Sequence, residues 1–508
     1  MTVMPGRAES YWMDSTTATG YPALSEDIQV DVAVIGAGIV GISTAWELAR
    51  TGRSVALLEA DRIVANTTGY TTGKLTSLHT LIYDRLSGDL GADAARHYAT
   101  SQQDALGRVH EVVAELGIDC DLEIRPAYTY VTEDDGVEAV RAEAEAAADA
   151  GLPAQFVTTT ALPFPIAGAV RVDGQAQFHP RKYLLRLAAD LVAHGGMIFE
   201  RTRVVGLAED RDCRVTTETG HTVTARDVVV ATHYPVFDRG QLMTRLVPHR
   251  ELVVAGTIAD SDDPAGMFIT REDDTRSVRT APFGDGRRLV IVTGEKFALG
   301  SSGVTERLWR LVGWTRRMFD VEEITYHWAA QDNVSTDGLP FVGPLRLGAE
   351  HTWVAGGFGG WGMSNGVMAS RLLTALITGA APPPWAGLYT PKRLNLLAEA
   401  PSFVKNTAFV AKEFVAGRLR SSHVDKPADV APGQGAVLRV HGQRCAVYRD
   451  DDGAMHAVSA TCTHLGCTVG FNDVERTWDC PCHGSRFDVD GAVLHGPANQ
   501  PLEPRDLA

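Results

Sequence analysis

The sequence lacks any uninterrupted apolar run approaching the roughly 18 residues that a membrane-spanning helix needs. Its opening residues, MTVMPGRAESYWMD, hold neither a basic segment followed by an apolar stretch nor a twin arginine, so the expected location is the cytoplasm. Positive charge is in short supply. Lys and Arg number 47 against 63 Asp and Glu, and the net charge of −16 argues against nucleic acid or an anionic membrane as the main partner. Internal repeats and low-complexity tracts are absent too. Cysteine is scarce and uneven: Cys120, Cys213 and Cys445 stand alone, whereas Cys462, Cys467, Cys480 and Cys482 crowd into 21 positions. A cytoplasmic chain has little use for a disulfide framework, so this crowding points to metal or redox chemistry. Cys120 and Cys213 are expected to be structural.

What is present begins with size, since 508 residues exceed what one hydrophobic core supports; two or three domains are expected. Residues 30–35 read as a continuous apolar strand. Gly36-Ala-Gly38-Ile-Val-Gly41 follows, then a helical stretch and a second strand closed by Glu59. In such a β-α-β unit the glycines let a pyrophosphate approach the helix N-terminus, and Glu59 can accept hydrogen bonds from a ribose. A glycine turn without a ligand is the alternative. The string recurs at Gly357, Gly359 and Gly362, but only the first copy is expected between a clear strand and helix with an acidic residue beyond. No second full fingerprint exists, so a separate nicotinamide site is not expected. Residues 137–151 read as an exposed Ala/Glu helix stopped by Gly151, and 401–424 as an amphipathic helical linker that packs on protein rather than membrane. From 425 onward short strands alternate with turns.

Two boxes lie in that last segment: Cys462-Thr-His464-Leu-Gly-Cys467 and Cys480-Pro-Cys482-His483-Gly-Ser485. One cysteine and one histidine per box supply two thiolates and two imidazoles, the ligation in which two histidines replace two cysteines on one iron. A Cys2His2 zinc site is the competing reading, but zinc sites rarely space ligands this way in paired glycine loops with two further cysteines. The boxes resemble those of Rieske proteins of the cytochrome bc type, over about 80 residues. The resemblance implies that Cys462 and Cys480 hold one iron of a [2Fe-2S] cluster and His464 and His483 the other. It also implies a disulfide between Cys467 and Cys482, and a Ser485 hydroxyl directed at a bridging sulfide. Phe487 stands where the high-potential members carry tyrosine, so a lower potential is expected, raised again by Phe487→Tyr.

Rossmann units bind NAD as well as FAD, and the rest of the chain decides between them. Past Glu59 runs a Thr- and Gly-rich loop, ADRIVANTTGYTTGKLT. Further on come the helix after His179-Pro180, the strand DVVVATHY, and Asp337-Gly-Leu-Pro340 leading to VAGGFGGWGMSNG. In this order they resemble the D-amino-acid oxidase and sarcosine oxidase superfamily over residues 28–380. The resemblance implies FAD, held by Gly36, Gly38, Gly41 and Glu59, with Thr72, Gly73 and Thr232 beside it. It further implies that Gly357, Gly359 and Gly362 lead a helix N-terminus toward the flavin pyrimidine.

Lys74 and His79, in or near the flavin loop, are candidates to touch flavin or substrate, and His79 is the loop's one candidate for covalent FAD attachment. Lys296 lies where some oxidases keep a lysine near the flavin; a solvated surface lysine is the competing reading. Arg125, Tyr128 and Tyr130 alternate on an expected strand and could bind a substrate carboxylate, or simply form an exposed face.

The expected fold is an α/β Rossmann-like FAD-binding domain interleaved with an α+β substrate domain, plus a C-terminal all-β Rieske domain. FAD-binding segments are expected at 28–85, 155–240 and 330–380, substrate-domain segments at 86–154 and 241–329, the linker at 401–424 and the Rieske domain at 425–508. The whole resembles bacterial flavoproteins of this superfamily that carry a C-terminal Rieske domain. That implies a dehydrogenase for amines or amino acids, passing electrons from substrate through FAD to the cluster and on to an external acceptor. An oxygen-reducing oxidase with a structural or redox-sensing Rieske appendage, and an electron-transfer protein without its own organic substrate, are the alternatives.

Overall fold

The structure, a computed structural model, describes residues 4–237, 242–271, 274–393, 424 and 426–507. The expected helical linker at 401–424 therefore lies outside the described residues, apart from Val424.

Strand Ile28–Ile35 is apolar along its inner half because both faces are covered, the usual state of a parallel sheet. It pairs in parallel with Val55–Leu58 on one side and Thr222–Val230 on the other, and the latter pairs in parallel with Thr352–Gly356. Helices Ile39–Arg50 and Gly362–Thr378 pack against each other beside this eight-stranded sheet. Both start at the carboxyl ends of their preceding strands, where open α/β sheets bind ligands.

A second, nine-stranded sheet is antiparallel except where Met267–Thr270 runs alongside Glu123–Val131. Helix Val304–Met318 packs on its strands Leu246–Ala259 and Arg287–Phe297. Strands Ala154–Val157 and Gly168–Gln177 also belong here, the latter bonded to Glu123–Val131. The expected division at residue 155 thus falls inside this sheet. Alternation marks a strand but not its sheet.

Helix Val137–Asp149 forms as expected, yet it is not exposed all round, for Val140, Glu143, Ala144 and Ala147 are buried. Glu143 is inside because its carboxylate accepts from the backbone N–H groups of Tyr83 and Asp84 (3.0 and 2.9 Å), satisfying the start of helix Ile82–Leu90.

Residues 426–507 build a three-stranded sheet (Gly435–Val440, Gln443–Arg449, Met455–Ser459) and a four-stranded one (Gly470–Asn472, Thr477–Asp479, Arg486–Phe487, Val493–His495). Trp478 and Phe487 are fully buried between them. This unit is docked on the flavin-type body. Buried Arg250 pairs with Glu475 at 2.6 Å, and Glu475 also meets Arg486 at 3.1 Å. At Gly300 and Gly470 the two backbones touch so closely that a Cβ on Gly470 would overlap the Gly300 carbonyl oxygen.

Candidate functional site

A large cavity runs from the first glycine turn to the second. Gly36, Gly38 and Glu59 line one end, and Gly359, Gly360 and Gly362 the other. Gly36 has φ +97°, a conformation that glycine adopts without strain. A Cβ on Gly38 would come within 2.9 Å of the Thr68 hydroxyl, and one on Gly41 would overlap the Gly36 carbonyl oxygen. Gly38 therefore keeps the cleft open, while Gly41 lets the helix lie close against its own turn. Glu59 accepts from the N–H of Ala37 at 2.8 Å and of Asp61 at 3.0 Å. Burial raises its pKa above the usual carboxylate value despite these donors.

The second turn has an acidic anchor as well. Asp332 accepts from the Gly360 N–H and, at 3.4 Å, faces Nε2 of His233. Burial alone would raise Asp332, but the His233 ring and the Asn333 N–H hold it below the usual range. This glycine string also follows a buried strand and leads into a helix, as the resemblance implied. Glycines bare of side chains, backbone N–H groups at two helix starts and a buried carboxylate beside the first turn fit FAD.

Thr72 and Thr232 line the cavity as expected. Gly73, Gly41 and Gly357 do not touch it among the described contacts. Gly73 (φ +73°) instead makes room for Arg279, which bonds its carbonyl at 2.8 Å, and Gly357 turns the chain at φ +75°.

Lys74 and Lys296 both face the cavity, joined by His249 and Glu251, which the sequence did not single out. Lys74 is buried, donating to the Phe268 carbonyl at 2.9 Å and to Ser277. Burial, with Arg279 nearby, lowers it to about 7. His79 lies elsewhere. It is buried against Trp361 at 4.6 Å, with Tyr98, Thr76 and Ser364 around its two ring nitrogens, and it lines a second cavity adjoining the first near Arg271. Burial drops its pKa to about 3, a neutral ring held within the protein. Arg125 pairs with Glu123 and Asp263, Tyr128 stacks on Phe268, and Tyr130 is buried; none lines the cavity. Cys120 and Cys213 are buried and unbridged.

In the C-terminal unit Cys467 and Cys482 form the disulfide that the resemblance implied, across 15 positions. Cys480 lies within 4.8 Å of both sulfurs, but the bridged pair has no thiolate to give a metal. The remaining donors are Cys462, Cys480, His464 and His483. The Cys480 thiol and the N–H groups of His464 and Leu465 point at the Cys462 sulfur, as does the Ser485 hydroxyl; these lower Cys462 to about 7. The imidazoles of His464 and His483 stand 5.0 Å apart and nearly perpendicular. Burial, then His464, lowers His483 to about 4, and its buried Nδ1 has no hydrogen-bond partner among the described residues. Two thiols and two neutral rings, one with an orphaned nitrogen, fit a two-iron, two-sulfur cluster.

The two sites share a wall. Gln331 lines the cavity and donates to the Gly484 carbonyl, next to His483, at 3.0 Å. His233, on the cavity, lies 3.3 Å from His495 of the C-terminal unit, and Tyr234 meets the His483 ring at 6.1 Å. No helix among the described residues is long and apolar enough to cross a membrane.

Comparison with known proteins agrees with both halves. The model of the FAD dependent oxidoreductase family (DAO) matches residues 31–376, and that of the Rieske [2Fe-2S] domain matches 421–505. The Bacillus subtilis (strain 168) protein YhfW, named for a Rieske 2Fe-2S iron-sulfur centre, is 34% identical over 501 residues, 98% of each chain. Gamma-glutamylputrescine oxidoreductase of Escherichia coli (strain K12) is 25% identical, covering 74% of this chain and 91% of its own. Among solved structures, glycine oxidase from Geobacillus kaustophilus superposes with a TM-score of 0.58 at 19% identity, covering 72% of this chain and all of that one.

Proposed function

The chain belongs to the FAD-dependent oxidoreductase family and ends in a Rieske [2Fe-2S] domain, and on that premise we propose that it is an amine or amino-acid dehydrogenase whose Rieske centre receives the electrons from FAD and passes them to an external acceptor. Bound FAD supplies a two-electron hydride acceptor, and the cluster a one-electron carrier.

The observation that carries the reading is Gln331. One side chain borders the FAD cavity and also bonds the loop of His483. A domain kept only as an appendage would not need its cluster loops on that wall. Support for an aminated substrate comes from the names of the Escherichia coli relative and of the glycine oxidase, and from charged residues on the cavity wall. Lys74, Lys296 and Arg271 line the cavity with Glu251 and His249, so both signs of charge are offered to a substrate. Burial, then Lys296, lowers His249 to about 4, so its ring is neutral at pH 7 and offers a hydrogen-bond acceptor as well as a donor to a substrate.

The test is anaerobic addition of a panel of amines and amino acids to the purified protein. Flavin is followed optically and the cluster by EPR. Bleaching followed by the signal of a reduced Rieske cluster is the expected result. Bleaching without cluster reduction would refute the relay and leave an oxidase, and no bleaching with any donor would favour an electron-transfer protein.

A further inference from the structure

The wall between the sites has a second aspect, independent of any relay. Leu494, His495, Gly496, Ala498 and Asn499, all from the Rieske domain, line the same cavity as Gly36, Gly38 and Glu59. We propose that residues 494–499 are part of the FAD site, a strap that the Rieske domain lays across the cleft, so that FAD leaves only when this domain lifts away.

The strap is fastened on its flavin side by Arg203, which donates to the Val493 carbonyl at 2.9 Å, and by the 3.3 Å contact of His233 with His495. Gly496 sits so close to Val236 that an added Cβ would meet its methyl at 3.2 Å. On its other side it is fastened to the cluster loops. The Ala498 N–H donates to the Ser485 hydroxyl at 3.0 Å, and Thr463 donates to the Gln500 carbonyl at 2.6 Å. Leu494 is 42% exposed, one of few large apolar side chains so placed among the described residues, and it faces the cleft. Apolar surface there is suited to covering a ring or ribityl chain, and Asn499 offers both a donor and an acceptor. A ligand held between two docked units leaves no faster than they part, so retention of FAD is tied to docking.

Two full-chain variants test this through cofactor retention, read as flavin fluorescence appearing after dilution into buffer without FAD. Glu475→Arg sets a cation against Arg250 and Arg486 and loosens the docked face. The pair Leu494→Ala with Asn499→Ala strips the strap while leaving that face intact. Unchanged EPR g values of the dithionite-reduced cluster certify the Rieske fold in each. Both should release FAD roughly tenfold faster or more. Release at the parent rate from the Leu494/Asn499 pair would overturn the proposal, whatever Glu475→Arg does to docking.

Discussion

One string, Gly-x-Gly-x-x-Gly, occurs twice in a single sheet, after strands Ile28–Ile35 and Thr352–Gly356, with one strand between them. Each copy begins with a glycine at positive φ, opens a helix and has a backbone N–H held by a buried carboxylate, Glu59 or Asp332. The copies diverge at the third glycine. At Gly41 an added Cβ would overlap backbone, whereas at Gly362 it would meet only the Phe358 ring, at 3.8 Å. They diverge again at the anchors, since burial raises Glu59 while His233 keeps Asp332 low. The first turn is thus compressed against its helix; the second is open and held by charge. A shared string records a shared need for bare backbone near a ligand, and neighbours decide the rest.

Substitutions can break or sharpen that contrast. The largest effect is expected from Gly41→Ala, where helix and turn must separate. A loss of about 3 kcal/mol or more, with little bound FAD, should appear in thermal denaturation and flavin content. Asp332→Asn comes next, at about 1–3 kcal/mol near neutral pH, because it removes the charge facing His233. Its sign follows from a depressed pKa: the ionised form stabilises the fold above the ordinary Asp value of about 3.9, and the contribution is lost as pH falls through the lower folded value. Parent and variant melting curves should therefore converge in acid. Glu59→Gln should run the other way and be smaller in the cofactor-free protein. With a raised pKa, ionised Glu59 disfavours the fold at neutral pH, so the amide should stabilise there, a gain that vanishes below the ordinary Glu value of about 4.3. A destabilised Glu59→Gln at neutral pH would show the anchors to be alike. Smallest of all, Gly362→Ala should stay within about 1 kcal/mol, since a helix start tolerates alanine and the space is open.

Much of this was legible along the chain, for a local reason. The first β-α-β unit carries its strand, glycines and Glu59 within about thirty residues, and the cluster ligands fall in two short boxes. The helix that follows the second string came only from the family resemblance, because the string carries no acidic residue closing a next strand as Glu59 does for the first. Lys74 and Lys296, candidates from the sequence, do face the cavity, whereas His79, three residues past the loop, turns into a neighbouring pocket. Asp332, Glu251 and His249 sit on long strands of the other sheet, and nothing in an alternating strand says which face meets a cavity. The shared wall was the least legible feature. Gln331 and Gly484 are 153 positions apart, and only docking brings them together.

The position of Leu494 and Asn499 also sets a timetable. A ribosome makes Gly36 first and the final wall of the same cleft last. At about 5–20 residues per second, the roughly 460 residues between Gly36 and Leu494 take about 20–90 s to emerge. Only once Met363 has emerged does the nascent cleft have every wall but the last, and the roughly 130 residues from there to Leu494 take about 7–26 s, an interval in which FAD can enter before that wall is made.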